Sequence, residues 1–145
     1  MSRLACGVLI VSVLVSGRAR AADATAEDLA RMQGDWMVAA MWSGGIKVPD
    51  DEAQALFRTV EGNRYTVSRY SKPSSTGTFQ IDATASPKTI DSTPEVAKDK
   101  PPILGIYEFD GQTLRIANAQ PGQPRPTTFK PRIGHTVIEW QLEAM

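Results

Sequence analysis

The sequence predicts an all-β fold, an antiparallel up-and-down barrel of eight or nine short strands with one or two short helices. Three observations predict it. Apolar and polar residues alternate with period two over many short segments. Gly62-Asn63 and Asp110-Gly111-Gln112 are typical of tight turns between paired strands. No long helical pattern competes with the strands. A sandwich of two sheets would show the same alternation, so it is the alternative closure.

The first 21 residues are predicted to be a cleaved signal peptide. Arg3 supplies the positive start, residues 4–16 form an apolar run, and Ala-Arg-Ala at 19–21 fits a cleavage site. An uncleaved anchor is the alternative, although the run is shorter than the ~20 residues that span a bilayer. We therefore expect an exported protein, periplasmic or secreted, with a short helix over 22–33 and a barrel domain over 34–145.

The charge balance argues against a nucleic-acid partner. The 145 residues include 16 Lys+Arg and 16 Asp+Glu, and losing three arginines with the signal peptide leaves 13 positive against 16 negative charges. Such a chain has no positive excess to neutralise phosphates. The only cysteine, Cys6, would leave with the signal peptide, so the mature chain is expected to have no disulfide, no thiolate and no membrane span.

The first mature elements are a helix and a long strand. Thr25, followed three residues later by Asp28, resembles a helix cap, and Gly34 lies just beyond the helix. Over 35–42 the residues alternate between two faces of a predicted strand. One face would carry Trp36, Val38, Ala40 and Trp42, and the other Met37, Ala39 and Met41.

The rest of the chain is predicted to be one short helix and further strands. Gly44-Gly45 ends the first strand, and Asp50 or Asp51 would cap a helix over 50–57. Prolines and charges predict loops over 93–102 and 120–126. Strands are predicted over 58–61, 64–70, 76–82, 88–92, 103–109, 113–118, 127–129 and 136–142.

Several segments together carry a resemblance to a known family. Gly34-Asp35-Trp36 after a short helix is similar to the Gly-x-Trp start of lipocalins. With GTFQID at 77–82, PKTID at 87–91, GIYEFDGQTL at 105–114 and PGQPRP at 121–126, nearly the whole mature chain resembles a lipocalin-like domain family of unknown function, common in planctomycete bacteria. The resemblance implies a lipocalin-like barrel and no established activity. Ala117 stands where the family usually has a cysteine.

Structural roles are expected for the residues that form turns and the barrel plug. The resemblance to lipocalins implies that Trp36 closes the narrow end of the barrel by packing under a basic side chain. We expect a core role for it before a ligand contact, because buried aromatic side chains dominate core energetics. Gly34, Gly105, Asp110 and Gly111 belong to the segments that carry the resemblance, and we expect them to be structural as well.

Candidate ligand contacts come from side chains on the apolar faces of the predicted strands. A cavity would be lined by some of Trp42, Tyr65, Val67, Phe79, Ile116 and Ile138, although simple packing explains such positions as well. Tyr107 needs a polar partner for its hydroxyl. Arg125, fixed between two prolines, could bind a carboxylate or phosphate, or form a salt bridge that ties its loop down.

No catalytic, metal-binding or cofactor-binding residues are predicted. His135 is the only histidine, and no Gly-x-Ser-x-Gly or Gly-rich phosphate loop accompanies it. One histidine without cysteine does not supply the usual zinc ligands. The acidic run at 50–52 is better explained by helix capping than by a calcium site.

Two functions from different classes fit these observations. The first is a non-catalytic, exported binding protein that holds a small apolar or amphipathic molecule in its barrel. The second is a structural or protein-interaction module of the cell envelope with a solid core. The choice depends on whether side chains fill the barrel interior.

Overall fold

The computed structural model describes residues 16–143, so the start and apolar run of the predicted signal peptide, residues 1–15, lie outside the described residues. Two short α-helices accompany the strands: α1 (Ser16–Arg31) and α2 (Asp50–Ala53), with a 3-10 turn at Glu95–Ala97. The strands are β1 (Gly34–Ser43), β2 (Ile46–Lys47), β3 (Leu56–Glu61), β4 (Arg64–Arg69), β5 (Lys72–Asp82), β6 (Lys88–Pro94), β7 (Ile103–Asp110), β8 (Thr113–Ala119) and β9 (His135–Leu142).

The strands form one closed antiparallel sheet. From β3 onward each strand pairs with its neighbour in sequence, and β1 pairs with both β3 and β9, which closes an eight-stranded barrel. The two-residue β2 pairs only with the end of β1. The predicted up-and-down barrel is therefore confirmed, and the alternative of two separate sheets is wrong because a single hydrogen-bonded sheet returns on itself.

Both predicted hairpins are confirmed. Gly62, between β3 and β4, and Gly111, between β7 and β8, have φ of 63° and 60°. This left-handed backbone strains side chains with a Cβ, and glycine adopts it freely. The two turns therefore fix the register of their strand pairs.

The predicted alternation along the first strand is wrong beyond Val38. Strand β1 pairs Val38 with Trp140, but its next pair is Ala40 with Glu139, so a β-bulge adds one residue. One extra residue exchanges the two faces of everything that follows. Met41 consequently packs against the interior cluster, and Trp42 packs outside the barrel.

Other element boundaries also differ from the sequence predictions. Helix α1 begins before Thr25, whose Oγ1 accepts a bond from the Ala83 N–H at 3.1 Å, so Thr25 is not a helix cap. Helix α2 ends at Ala53 and has no side-chain cap, because Pro49 occupies the cap position. Residues 127–129 form bends and not a strand, whereas β6 extends to Pro94 and the short β2 was not predicted.

Helix α1 covers one end of the barrel by bonding to the turns there. Gln33, just after the helix, donates to the Gly62 carbonyl and accepts from the Gly62 N–H, and Arg31 donates to the Gly111 carbonyl at 3.2 Å. Thr25 binds the turn after β5. Three separate hairpin ends are therefore joined to one helix. Within residues 16–143, no helix is both long and apolar enough to cross a membrane.

The α1 end of the barrel is solidly packed. Trp36 is 2% exposed, and its indole N–H donates to the Met32 carbonyl at 2.9 Å. Met32 brings the end of α1 into the same interior cluster. The same interior cluster includes Val60, Phe79, Ile90, Tyr107, Leu114 and Trp140.

Asp28 links α1 to the barrel wall through a buried polar contact. Its Oδ2 accepts from the Tyr107 hydroxyl and from Lys88 Nζ, both at 2.8 Å, and the residue is 6% exposed. A buried carboxylate is costly unless it is paired and hydrogen-bonded. Here both conditions are met by residues of β6 and β7, so the contact fixes where α1 sits.

Trp36→Ala is expected to lower the free energy of unfolding by about 3 to 5 kcal/mol, because it removes a buried aromatic ring and leaves a cavity. Trp42→Ala, in the partly buried outer cluster, is the control and should cost less. Urea denaturation followed by far-UV circular dichroism measures both. Equal losses would contradict the role of Trp36 as the plug.

Asp28→Ala should cost about 2 kcal/mol of stability, because it leaves the buried Tyr107 hydroxyl without an acceptor. Tyr107→Phe removes that hydroxyl, so the double variant should lose less than the sum of the two single variants. A double-mutant cycle from urea denaturation tests this. Strict additivity would show that the two side chains are not coupled.

Candidate functional site

The barrel interior contains a cavity at the end away from α1. Its volume is about 200 Å³. Strands β3 to β9 all contribute to its walls, so it lies inside the barrel and not in a groove on its surface. The lining residues are Leu56, Arg58, Tyr65, Val67, Ser75, Ser92, Pro94, Ile103, Ile116, Asn118, Ile138 and Trp140.

The walls of this cavity are mostly apolar with a few polar groups. Aliphatic side chains such as Val67, Ile116 and Ile138 form most of the surface. Ser75 and Ser92 supply hydroxyls from β5 and β6. An apolar surface with few convergent polar groups is the usual composition of a small-molecule site.

Arg58 is the single charged residue among those lining the cavity in the described chain. It is 7% exposed, it forms no ion pair among residues 16–143, and its Nε has no hydrogen-bond partner. Burial lowers the pKa of Arg58 to about 10, which still leaves the guanidinium charged at neutral pH. The cavity therefore carries one unpaired positive charge.

Two aromatic rings hold the Arg58 guanidinium in place. Its central carbon lies 4.8 Å from the ring centre of Tyr65 and 5.4 Å from that of Phe79. Aromatic faces attract cations, most strongly where water is excluded. Burial raises the pKa of Tyr65, and the positive Arg58 and a hydrogen bond with Ser75 oppose that rise.

Two glycines make room for polar side chains of the cavity. A Cβ at Gly77 would lie 2.7 Å from the Tyr65 hydroxyl, closer than real Cβ atoms approach other atoms. A Cβ at Gly105 would clash with Oδ1 of Asn118, which is buried and has no hydrogen-bond partner. The absence of side chains at these positions lets Tyr65 and Asn118 lie against the strand backbone.

The residues predicted from sequence to bind a ligand fall into three groups. Tyr65, Val67, Ile116 and Ile138 line the cavity, and Phe79 lies beside Arg58 in the interior cluster. Tyr107 is interior but belongs to the packed end, where it donates to Asp28. Trp42 and Arg125 lie outside the barrel: the bulge in β1 turns Trp42 outward, and Arg125 is on the segment that covers the outer wall.

The sequence reasoning missed Arg58 and Asn118. The signal for Arg58 was present, because the predicted strand 58–61 places Arg58 and Val60 on the same face. An arginine on the same strand face as a core valine indicates either that the strand lies at the edge of a sheet or that the charge is buried. Asn118 gave no comparable signal, since it ends a strand where asparagine commonly satisfies a turn.

The outer wall of β7, β8, β9 and β1 has its own apolar cluster. Ile106, Ala117 and Val137 are buried there, with Trp42 and Phe129 packed against them. Residues 120–134 run across this wall. Nη1 of Arg125 donates to Asp91 at 2.6 Å and to the Gly105 carbonyl at 2.7 Å, so it fastens the segment to the barrel.

A second depression, of about 700 Å³, lies beside this outer cluster and is larger than the interior cavity. Its partly buried arginine is already paired, because Arg115 contacts both Glu108 and Glu139, and its other cation, Lys130, is exposed to solvent. The interior cavity is smaller, but it contains the unpaired Arg58. We therefore regard the interior cavity as the candidate site.

His135 and the acidic side chains do not assemble into a metal centre. Across the described residues 16–143, no group of three His, Cys, Asp or Glu could hold a metal ion. His135 begins β9, away from the interior cavity, and its Nδ1 is buried without a partner. Asp50, Asp51 and Glu52 form the start of α2.

No family model, no curated protein and no solved structure matches this chain. The resemblance to the lipocalin-like planctomycete family therefore stays a prediction.

The stability of the protein should fall above about pH 10, where the Tyr107 hydroxyl of the unfolded chain loses its proton. Burial, and then the hydrogen bond to Asp28, raise the pKa of Tyr107 in the folded state. Stability from this group is complete below pH ~10 and declines as the pH rises further. Urea denaturation at several pH values should therefore show that the wild type exceeds Tyr107→Phe in free energy of unfolding by less above pH ~10 than below it. A difference that does not change with pH would contradict the assigned effect of the Tyr107 hydroxyl.

Proposed function

We propose that this chain is a small, exported, lipocalin-like binding protein without catalytic activity, and that its barrel holds a small apolar or amphipathic molecule. The observation that carries this proposal is the interior cavity of about 200 Å³, which is walled by seven consecutive strands. A barrel with a packed core would have filled this space with side chains.

The division of the barrel into two halves supports binding at one end. The α1 half is packed around Trp36 and supplies stability. The other half leaves space between Leu56, Val67 and Ile138. Protein interiors rarely leave voids larger than a water molecule unless a ligand or water occupies them.

The size of the cavity limits the class of ligand. A cavity of ~150 Å³ lined by apolar side chains binds benzene. A volume of about 200 Å³ suits a single ring or a short chain with a polar group. It is too small for a flavin, haem or nucleotide.

Export of the protein is part of the proposal and rests on the signal-like segment at residues 1–21. The α1 residues that bond to the barrel, from Thr25 to Arg31, all follow the proposed cleavage position. Cleavage after Ala21 would thus leave the contacts of α1 with the barrel in place.

Native mass spectrometry of the protein purified gently from its own envelope or medium should show one small molecule bound per chain. Val67→Trp should abolish the added mass, because the indole would occupy the cavity. Thr66→Trp, on the other face of β4, is the matched control and should retain it. A bare wild-type mass, or a complex with another protein only, would favour the solid-core interaction module.

A further inference from the structure

The most informative feature of the cavity is the charge of Arg58. It lies on β3 between Leu56 and Val60, all three of which face the interior. A guanidinium offers five N–H donors in a rigid fork. The structure provides aromatic faces for this fork but no carboxylate among residues 16–143.

The two partly buried arginines of the described residues are each paired with carboxylates. Arg115 is paired with Glu108 and Glu139, and Arg125 with Asp91. Both are more exposed than Arg58, so losing the paired carboxylate would cost them less, because water could solvate the charge. Burying a charge without a counterion is costly, so the position of Arg58 needs another explanation than stability.

We propose that the interior cavity selects a small molecule with one carboxylate group, which the Arg58 guanidinium binds, and with an apolar body that lies between Val67, Ile116 and Ile138. This inference rests on the proposed function and specifies its ligand class. Bidentate pairing with a carboxylate satisfies the geometry of the guanidinium, and the carboxylate supplies the missing negative charge.

The charge count of the cavity favours a singly charged ligand. Arg58 is the only charged lining residue in the described chain, so a second negative charge on a ligand would stay unpaired in an apolar space. The aliphatic walls require an apolar body, which separates this ligand class from inorganic anions.

Neutral polar groups of the cavity fit a carboxylate beside Arg58. The Tyr65 hydroxyl and the hydroxyls of Ser75 and Ser92 are donors on the neighbouring walls. The carboxamide of Asn118 lies on the facing strand β8, and by turning it can present either a donor or an acceptor. No negatively charged side chain lines the cavity in the described chain, so none would repel the ligand.

The test compares an acid with its uncharged amide. The full chain is produced with its own N-terminal segment, unfolded to release bound molecules, and refolded. Benzoate and benzamide, and then hexanoate and hexanamide, are titrated while ¹⁵N chemical shifts are recorded, including the Arg58 Nε–H signal. Each acid should bind at least about tenfold more tightly than its amide, because a charged hydrogen bond adds affinity of that order.

Arg58→Met should remove the preference for acids, so that acid and amide bind within about twofold of each other. Arg69→Met removes the same charge from an exposed position on β4 and should keep the tenfold preference. Without ligand, Arg58→Met should unfold at the same or a higher urea concentration than the wild type, because replacing a buried charge with an apolar side chain often stabilises. A lower midpoint would favour a structural role for Arg58.

The outcomes separate this inference from the proposed function. Acids and amides that bind equally well to the wild type would overturn the role of Arg58 and leave cavity binding intact. Failure of all four compounds to shift any cavity resonance would overturn both proposals. Should Arg58→Met not fold, the comparison of acid with amide in the wild type decides by itself.

Discussion

The architecture depends on the pairing of β1 with β9. This antiparallel ladder joins the two ends of the sheet, so that no edge remains along seven residue pairs from Trp36 to Ser43. Closure creates an interior with a fixed circumference, which side chains fill at one end and leave partly open at the other. The bulge after Val38 lies within the same ladder and decides which β1 side chains enter that interior.

The two ends of the barrel differ because the long helix α1 lies over only one of them, whereas the other has the four-residue α2, which contributes Ala53 to the interior cluster. Helix α1 brings Met32 against Trp36 and carries Asp28 to Tyr107 and Lys88. Those contacts satisfy a buried carboxylate and a buried hydroxyl together, so the end can be both polar and dry. The α1 end is therefore rigid, and the interior cavity lies at the opposite end, where side chains do not fill the barrel.

Arg58 lies at the boundary between the packed end of the barrel and the cavity. It sits where the packed aromatic cluster meets the cavity, with Tyr65 and Phe79 holding its guanidinium. The rings restrict its rotamers and so reduce the entropy that a bound anion would otherwise cost. The outer wall shows the contrast: Arg125 and Arg115 are neutralised by carboxylates of the chain itself, and they fasten structure.

Most of the strands and the hairpins at Gly62 and Gly111 follow from the sequence, because they depend on local backbone preferences and period-two patterns. The sequence also identified Tyr65, Val67, Ile116 and Ile138, which alternate regularly within unbroken strands. The closure of the sheet as a barrel and not a sandwich required the structure, because it depends on the pairing of β1 with β9, which lie far apart in the sequence. So did the face of Trp42, since a bulge leaves no mark on the alternation of small and apolar residues around Ala39. The cavity and the isolation of Arg58 also emerge only in the folded chain, because empty space and missing partners arise from how distant strands meet, and no single segment encodes them.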